Sequence, residues 1–173
     1  MPLGPYICVF PNEIIMKSLS TELKWAFIFT GVALLWMVFE KILGWHDRYI
    51  DKHAMYTLFF MIPAFIIYFL AIREKRETLY DGNMTWAEGF KSGLILSVFV
   101  AILALPSQWI TNNIISPEYF ANAISHAVES GKMGQEQARN QFNPETYMIM
   151  APIFSFFAGL LTSAVVCIFV KRT

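Results

Sequence analysis

The densest grouping of ionisable side chains in the sequence is His46-Asp47-Arg48-Tyr49-Ile50-Asp51-Lys52-His53. Imidazole and carboxylate together can ligate a transition metal or pass a proton, so His46, Asp47, Asp51 and His53 are the candidates for any chemistry. Their spacing matches no zinc pattern, and Arg48 and Lys52, interleaved among the donors, would repel a cation. The stretch is therefore expected to be a solvated, salt-bridged loop that is dispensable for folding. No catalytic residue, cofactor or metal is expected, and the chain is not expected to be an enzyme. Glu40 with Lys41, and Glu88 with Lys91, stand at the ends of apolar runs, where a long side chain reaches water at little cost. They read as anchors. His126 falls on the polar side of a short amphipathic stretch and is expected to be exposed. No acid, base or histidine lies in the middle of an apolar run, which argues against an ion-coupled carrier.

The elements that would position these residues are membrane spans. Apolar residues make up 56% of the 173 and charged residues 15%, too much apolar surface for a water-facing domain of this size to hide. The formal net charge is zero, so nothing in the bulk electrostatics points to nucleic acid. Four charge-poor runs, about 24–44, 54–72, 86–110 and 144–170, each approach the ~20 residues needed to cross ~30 Å of hydrocarbon. The third opens on a capping box, Thr85-Trp86-Ala87-Glu88, and the fourth on Asn143-Pro144-Glu145, a polar cap with proline in the first turn. Pro63, Pro106 and Pro152 should kink the second, third and fourth runs. Trp25, Trp45, Tyr56, Tyr68, Trp86, Trp109 and Tyr147 cluster near the run ends, where headgroups satisfy both parts of an aromatic ring. The expected fold is all-α, four transmembrane helices in one domain over 16–173. Residues 1–15 read as an irregular leader or an artefact, leaving open whether Met1 or Met16 is the native start. Cys8 and Cys167 are too far apart in character to suggest a disulfide framework.

Orientation follows from the basic residues. Eight (Lys17, Lys24, Arg73, Lys75, Arg76, Lys91, Lys171 and Arg172) share one side, against five (Lys41, Arg48, Lys52, Lys132 and Arg139) on the other. That bias places both termini in the cytoplasm. In the long last connection, Ser116-Pro117-Glu118 starts a helix over 117–130. Its apolar stripe (Tyr119, Phe120, Ala123, Ile124, Ala127, Val128) should lie along the outer membrane surface or pack over the bundle. Residues 132–143 are polar and expected to be irregular.

Two patterns concern packing. Gly89 and Gly93 form a GxxxG, and Ser155, Gly159 and Ser163 recur every four residues on the fourth run. Small residues at that spacing let helix backbones approach closely, either within the bundle or against another subunit. The leading functional expectation is a non-enzymatic accessory or scaffolding subunit that packs against another membrane protein or a second copy of itself. The alternatives are a small lipid- or solute-translocating protein and, less favoured, a membrane-embedded enzyme built on the His46–His53 loop.

The order of these features, with Thr85-Trp86-Ala87-Glu88-Gly89-Phe90-Lys91-Ser92-Gly93 opening the third span and Ser116-Pro117-Glu118-Tyr119 after it, resembles a bacterial membrane family of unknown function, domain of unknown function 4199. The resemblance covers about 16–173. It implies a four-helix inner-membrane protein and brings no catalytic residues with it.

Overall fold

A computed structural model describes the backbone of residues 11–172 and the side chains of residues 19–172. Cys8, Met1 and the first ten residues of the expected leader lie outside the described residues. The helices are α1 (Pro11–Ile42), α2 (Ile50–Tyr56), α3 (Met61–Leu79), α4 (Trp86–Ile110), α5 (Tyr119–Glu129), α6 (Gln135–Gln141) and α7 (Pro144–Val170). A 3₁₀ turn over Thr57–Phe60 joins α2 to α3, and a π-helical turn over Thr111–Ile115 extends α4. Four helical stretches are long and apolar enough to span a bilayer: Leu19–Ile42, Ile50–Leu79, Trp86–Ile115 and Gln135–Val170. The chain is an all-α membrane protein with an amphipathic helix between its third and fourth spans.

Local chemistry explains the two cleanest boundaries. Thr85 accepts from the Glu88 amide while the Glu88 carboxylate accepts from the Thr85 amide, so the expected box is complete and α4 starts where it predicts. The Asn143 carboxamide accepts from the amides of Glu145 and Thr146, and Pro144 fills the first turn of α7 without needing a donor. Helices α4 and α7 continue through Pro106 and Pro152. The disturbance expected at Pro63 falls just upstream of it. Pro63 cannot donate to Phe59, and the chain tightens to 3₁₀ over Thr57–Phe60 before regular helix resumes.

Two expectations need correction. Residues Pro11–Ile15 belong to α1, so that part of the supposed leader is helical, and α1 begins well before the first apolar run. Residues 135–141 form α6, because Ala138 is fully buried and anchors a turn that polar composition alone would not reveal. The helix expected over 117–130 is present as Tyr119–Glu129 and takes the second of its two expected placements, over the bundle, with Phe120 against Tyr147 and their ring centroids 5.1 Å apart.

The core sits between α4 and α7, with α1 and α3 packed alongside. Tyr68, Ile72, Leu96, Val100, Val166, Cys167 and Val170 form its buried centre, with Ala26 closing it from α1. The small residues lie in this contact. A methyl added at Gly93 would overlap Ser163, one at Gly89 would press on Cys167 Sγ, and one at Gly159 would overlap Tyr68 Oη and Ser97 Oγ. Gly89, Gly93, Gly159 and Ser163 thus allow close approach within one chain, and Ser155 lies further along the same helix beside a cavity. At one end of the bundle, here the near end, residue 84 and residue 172 pair as a β-bridge, and Arg76 Nη1 donates to the Val170 carbonyl at 2.7 Å. That guanidinium satisfies a carbonyl at the C-terminus of α7.

Candidate functional site

The site is built at the far end, where α1 stops. Gly44 takes φ +78°, a left-handed conformation that side-chain-bearing residues rarely adopt, and it turns the chain back on itself. The Trp45 amide donates to the Glu40 carbonyl at 3.0 Å and the Tyr49 amide to the Gly44 carbonyl at 2.8 Å. This reversal lays His46 over the end of α1. One turn into the second span, α2 brings His53 to the same place. From the opposite direction, the π-helical turn rotates the chain so that Ser116 faces His46, and α5 begins with Tyr119 against His53.

All of these groups converge on Glu40. Its Oε2 is 3.2 Å from His46 Nε2 and 3.1 Å from His53 Nε2, while Trp36 Nε1 donates to Oε1 at 2.6 Å. The outward-facing ring nitrogens are also engaged. His46 Nδ1 lies 2.6 Å from Ser116 Oγ, and His53 Nδ1 lies 3.1 Å from Tyr119 Oη. The three rings of His46, His53 and Tyr119 contact one another edge to face, and Asn122 Nδ2 donates to the His46 carbonyl. Burial pushes the Tyr119 phenol above its usual range, so it remains a neutral hydroxyl able to donate or accept. One ring nitrogen from each histidine and a Glu40 carboxylate oxygen lie within 4.8 Å of one another, a donor set that could hold a metal ion.

These positions overturn several sequence-based expectations. Glu40 has no exposed surface and does not snorkel; it is the hub of the cluster. His46 is buried, so the stretch it opens is not a purely solvated loop. Asp47 and Asp51 are exposed and take no part, although they were candidates with the histidines. Arg48 and Lys52 also face outward, Lys52 over the Tyr49 ring, so they do not oppose a cation at the cluster. Lys41 reaches the Ile115 carbonyl and so ties α1 to the end of the π-helical turn. His126 is only half-exposed, with its Nε2 enclosed and without a hydrogen-bond partner among the described residues. Trp36, Ser116 and Tyr119 were missed as site residues. One signal was available for Trp36, which stands four residues before Glu40 and therefore on its face of the helix. Ser116 and Tyr119 sit in a motif that reads as a helix start, and nothing local points them at histidines some seventy residues away.

Beneath the cluster lies a cavity of about 160 Å³, lined by both histidines together with Thr57, Asn112, Ser116, Tyr119 and Tyr147. It adjoins a second cavity of about 170 Å³ deeper in the bundle, whose wall is mostly apolar and includes Phe29, Leu34, Phe60, Val100 and Ala104. Met37, Thr57, Gln108 and Thr111 line both, so the two lie side by side, one more polar and one mostly apolar, and are together called the chamber.

A second buried polar cluster stands at the near end. Lys75 Nζ lies 2.8 Å from Glu22 Oε1 and 2.9 Å from Oε2, and the Ser92 hydroxyl donates to Oε1 at 2.7 Å. It borders none of the cavities described above.

Fold and site together define a multi-pass membrane protein of four spans with a carboxylate–histidine cluster capping an intramembrane chamber. The chain belongs to the family described as Protein of unknown function (DUF4199), whose model matches residues 24–172. No curated protein and no solved structure matches it.

Proposed function

We propose that this membrane protein is a non-enzymatic binder of a small amphiphile, the lipid- or solute-handling reading, rather than an accessory subunit. The observation that carries the proposal is the graded chamber. An occupant with a polar head would face His46, His53, Gln108 and Asn112, and its apolar part would lie against Phe29, Leu34, Phe60 and Val100. Each half is comparable to the ~150 Å³ cavity that admits benzene, so each can take a fragment of a few carbons. The accessory reading drew on the small-residue stripe, and that stripe is largely used in the α4–α7 contact. The exposed apolar residues elsewhere, such as Leu35, Ile42, Phe154 and Leu161, are what a lipid-facing surface requires.

The test is to fill the chamber. Ala104→Phe is expected to leave the protein folded and to remove an amphiphile that mass spectrometry finds with the wild type at near-stoichiometric ratio. Equal lipid content in both proteins would defeat the reading, and stoichiometric recovery of a protein partner in both would return the accessory subunit to first place.

The family resemblance and the basic-residue bias support a bacterial inner membrane with the near end, hence both termini, in the cytoplasm. A reporter that works only in the cytoplasm should be active when fused after Arg172. Activity from a periplasm-only reporter at the same position would reverse the orientation.

A further inference from the structure

We propose that Glu40, His46 and His53 form a binding site for one divalent transition-metal ion of the zinc type, with its open coordination position facing the chamber. The inference is independent of what occupies the chamber. It rests on the geometry of the three donors and on the groups behind them.

With metal–ligand bonds of about 2.0–2.1 Å, neighbouring donors on a tetrahedron stand about 3.3 Å apart. Glu40 Oε2 is 3.2 and 3.1 Å from the two imidazole nitrogens, so two of the three edges already have that length. The third edge, between the two imidazoles, is the one that has to adjust, and a ring nitrogen of each already lies within 4.8 Å of the other and of the carboxylate. Two histidines and one carboxylate leave one position of a tetrahedral ion unfilled, as in sites that exchange a water or substrate oxygen. Both imidazoles line the chamber, whereas Glu40 is wholly buried with Oε1 held by Trp36. The free position therefore opens on the chamber, where water or an oxygen donor of the occupant can fill it.

The outer partners fit the same purpose. A ligating histidine usually donates its other N–H to an oxygen, which fixes ring orientation and tautomer. Here those oxygens are hydroxyls, Ser116 Oγ and Tyr119 Oη. A hydroxyl can donate or accept. Without metal, each Nε2–H donates to Glu40 and each Nδ1 accepts from its hydroxyl. With metal, each neutral ring carries its proton on Nδ1 and donates to that hydroxyl, leaving Nε2 free to coordinate. Every hydrogen bond to Nδ1 is kept. An entry route exists as well. His46 also lines a cleft at the far-end surface with Lys41, Asp47, Ser116 and Glu118, whose two carboxylates would draw a cation inward past the single lysine.

The experiment is Zn²⁺ titration of the full-length protein in detergent after chelator treatment, read by metal analysis and by thermal unfolding. One Zn²⁺ per chain and a rise in Tm are expected, and Co²⁺ in its place should give the intense visible bands of a tetrahedral ion. His46→Gln with His53→Gln should abolish binding. Ser116→Ala and Tyr119→Phe, which keep all three ligands, should each weaken it about 10–100-fold. Asp51→Asn, at an exposed carboxylate outside the cleft, should leave it unchanged. Should the double-histidine variant fail to fold, the Ser116 and Tyr119 variants and the Co²⁺ spectrum decide the matter. Folded wild type that takes up no Zn²⁺ at micromolar free metal would overturn the proposal. So would binding undiminished in the histidine or hydroxyl variants.

Discussion

Gly159→Leu is expected to prevent recovery of a stable folded monomer or to lower its Tm severely, while Leu161→Ala, two residues along the same helix, changes little. The reason lies in the α4–α7 contact. A single added carbon at Gly159 already overlaps Tyr68 Oη and Ser97 Oγ, and both side chains are fully enclosed. Tyr68 and Ser97 hydrogen-bond each other at 3.2 Å, and Ser97 also donates to the Gly93 carbonyl at 2.7 Å. Leucine must therefore separate the helices or break these bonds. Overpacking costs about 1–3 kcal/mol, and orphaning buried hydroxyls adds about 1–3 kcal/mol. Together these are a large share of the ~5–15 kcal/mol that holds a typical fold. Leu161 is 68% exposed on the lipid-facing side, so its truncation should stay within about 0.5 kcal/mol. Gly159→Ala should fall between. Thermal unfolding of the detergent-solubilised variants measures the series, and wild-type stability of Gly159→Leu would mean that the α4–α7 contact does not hold the bundle together.

The second large effect concerns the near-end ion pair. Lys75→Met should cost about 3–5 kcal/mol, because it removes the cation from the buried Glu22 carboxylate and leaves the Ser92 hydroxyl as a neutral donor to it. The double change Glu22→Leu with Lys75→Met should recover most of that loss, since a buried pair replaced by apolar side chains is often neutral or stabilising. Lys24 and Glu74 provide the contrast. Their contact is 2.5 Å, but the two side chains are 50% and 32% exposed, and such pairs contribute at most about 1 kcal/mol. Equal stability of Lys75→Met and Lys24→Met would show that Glu22 is reached by water after all.

A further consequence concerns the identity of the functional end. Both buried clusters contain acids near span termini, yet only the far-end one borders the chamber. The near-end cluster thus reads as a structural clasp, alongside Arg76 at the end of α7 and the bridge between Met84 and Arg172. Variants there should change stability without changing zinc affinity.

What the sequence by itself determined is whatever depends on neighbours along the chain. The extents of α4 and α7 were legible because caps and a first-turn proline act within one turn, through backbone amides that need a partner wherever the helix packs. The number of spans was legible because a bilayer demands an apolar run of minimum length whatever surrounds it. The extension of α1 to Pro11 was not, and neither was the turn at Gln135–Gln141, a polar helix held by the tertiary burial of Ala138 that composition does not record. The small-residue spacing revealed that backbones meet closely, but only the folded chain decided that α4 is the partner of α7. The site was least legible of all. Two of its histidines stood out as a local group, but with the wrong acids beside them. Asp47 and Asp51 are adjacent in sequence and face water, whereas Glu40, Ser116 and Tyr119 are distant and face inward. Which side of a chain reversal a side chain occupies depends on the left-handed turn at Gly44 and on the helix that closes over it. That is a property of three dimensions, because burial and hydrogen-bond pairing belong to contacts between segments and not to any one of them.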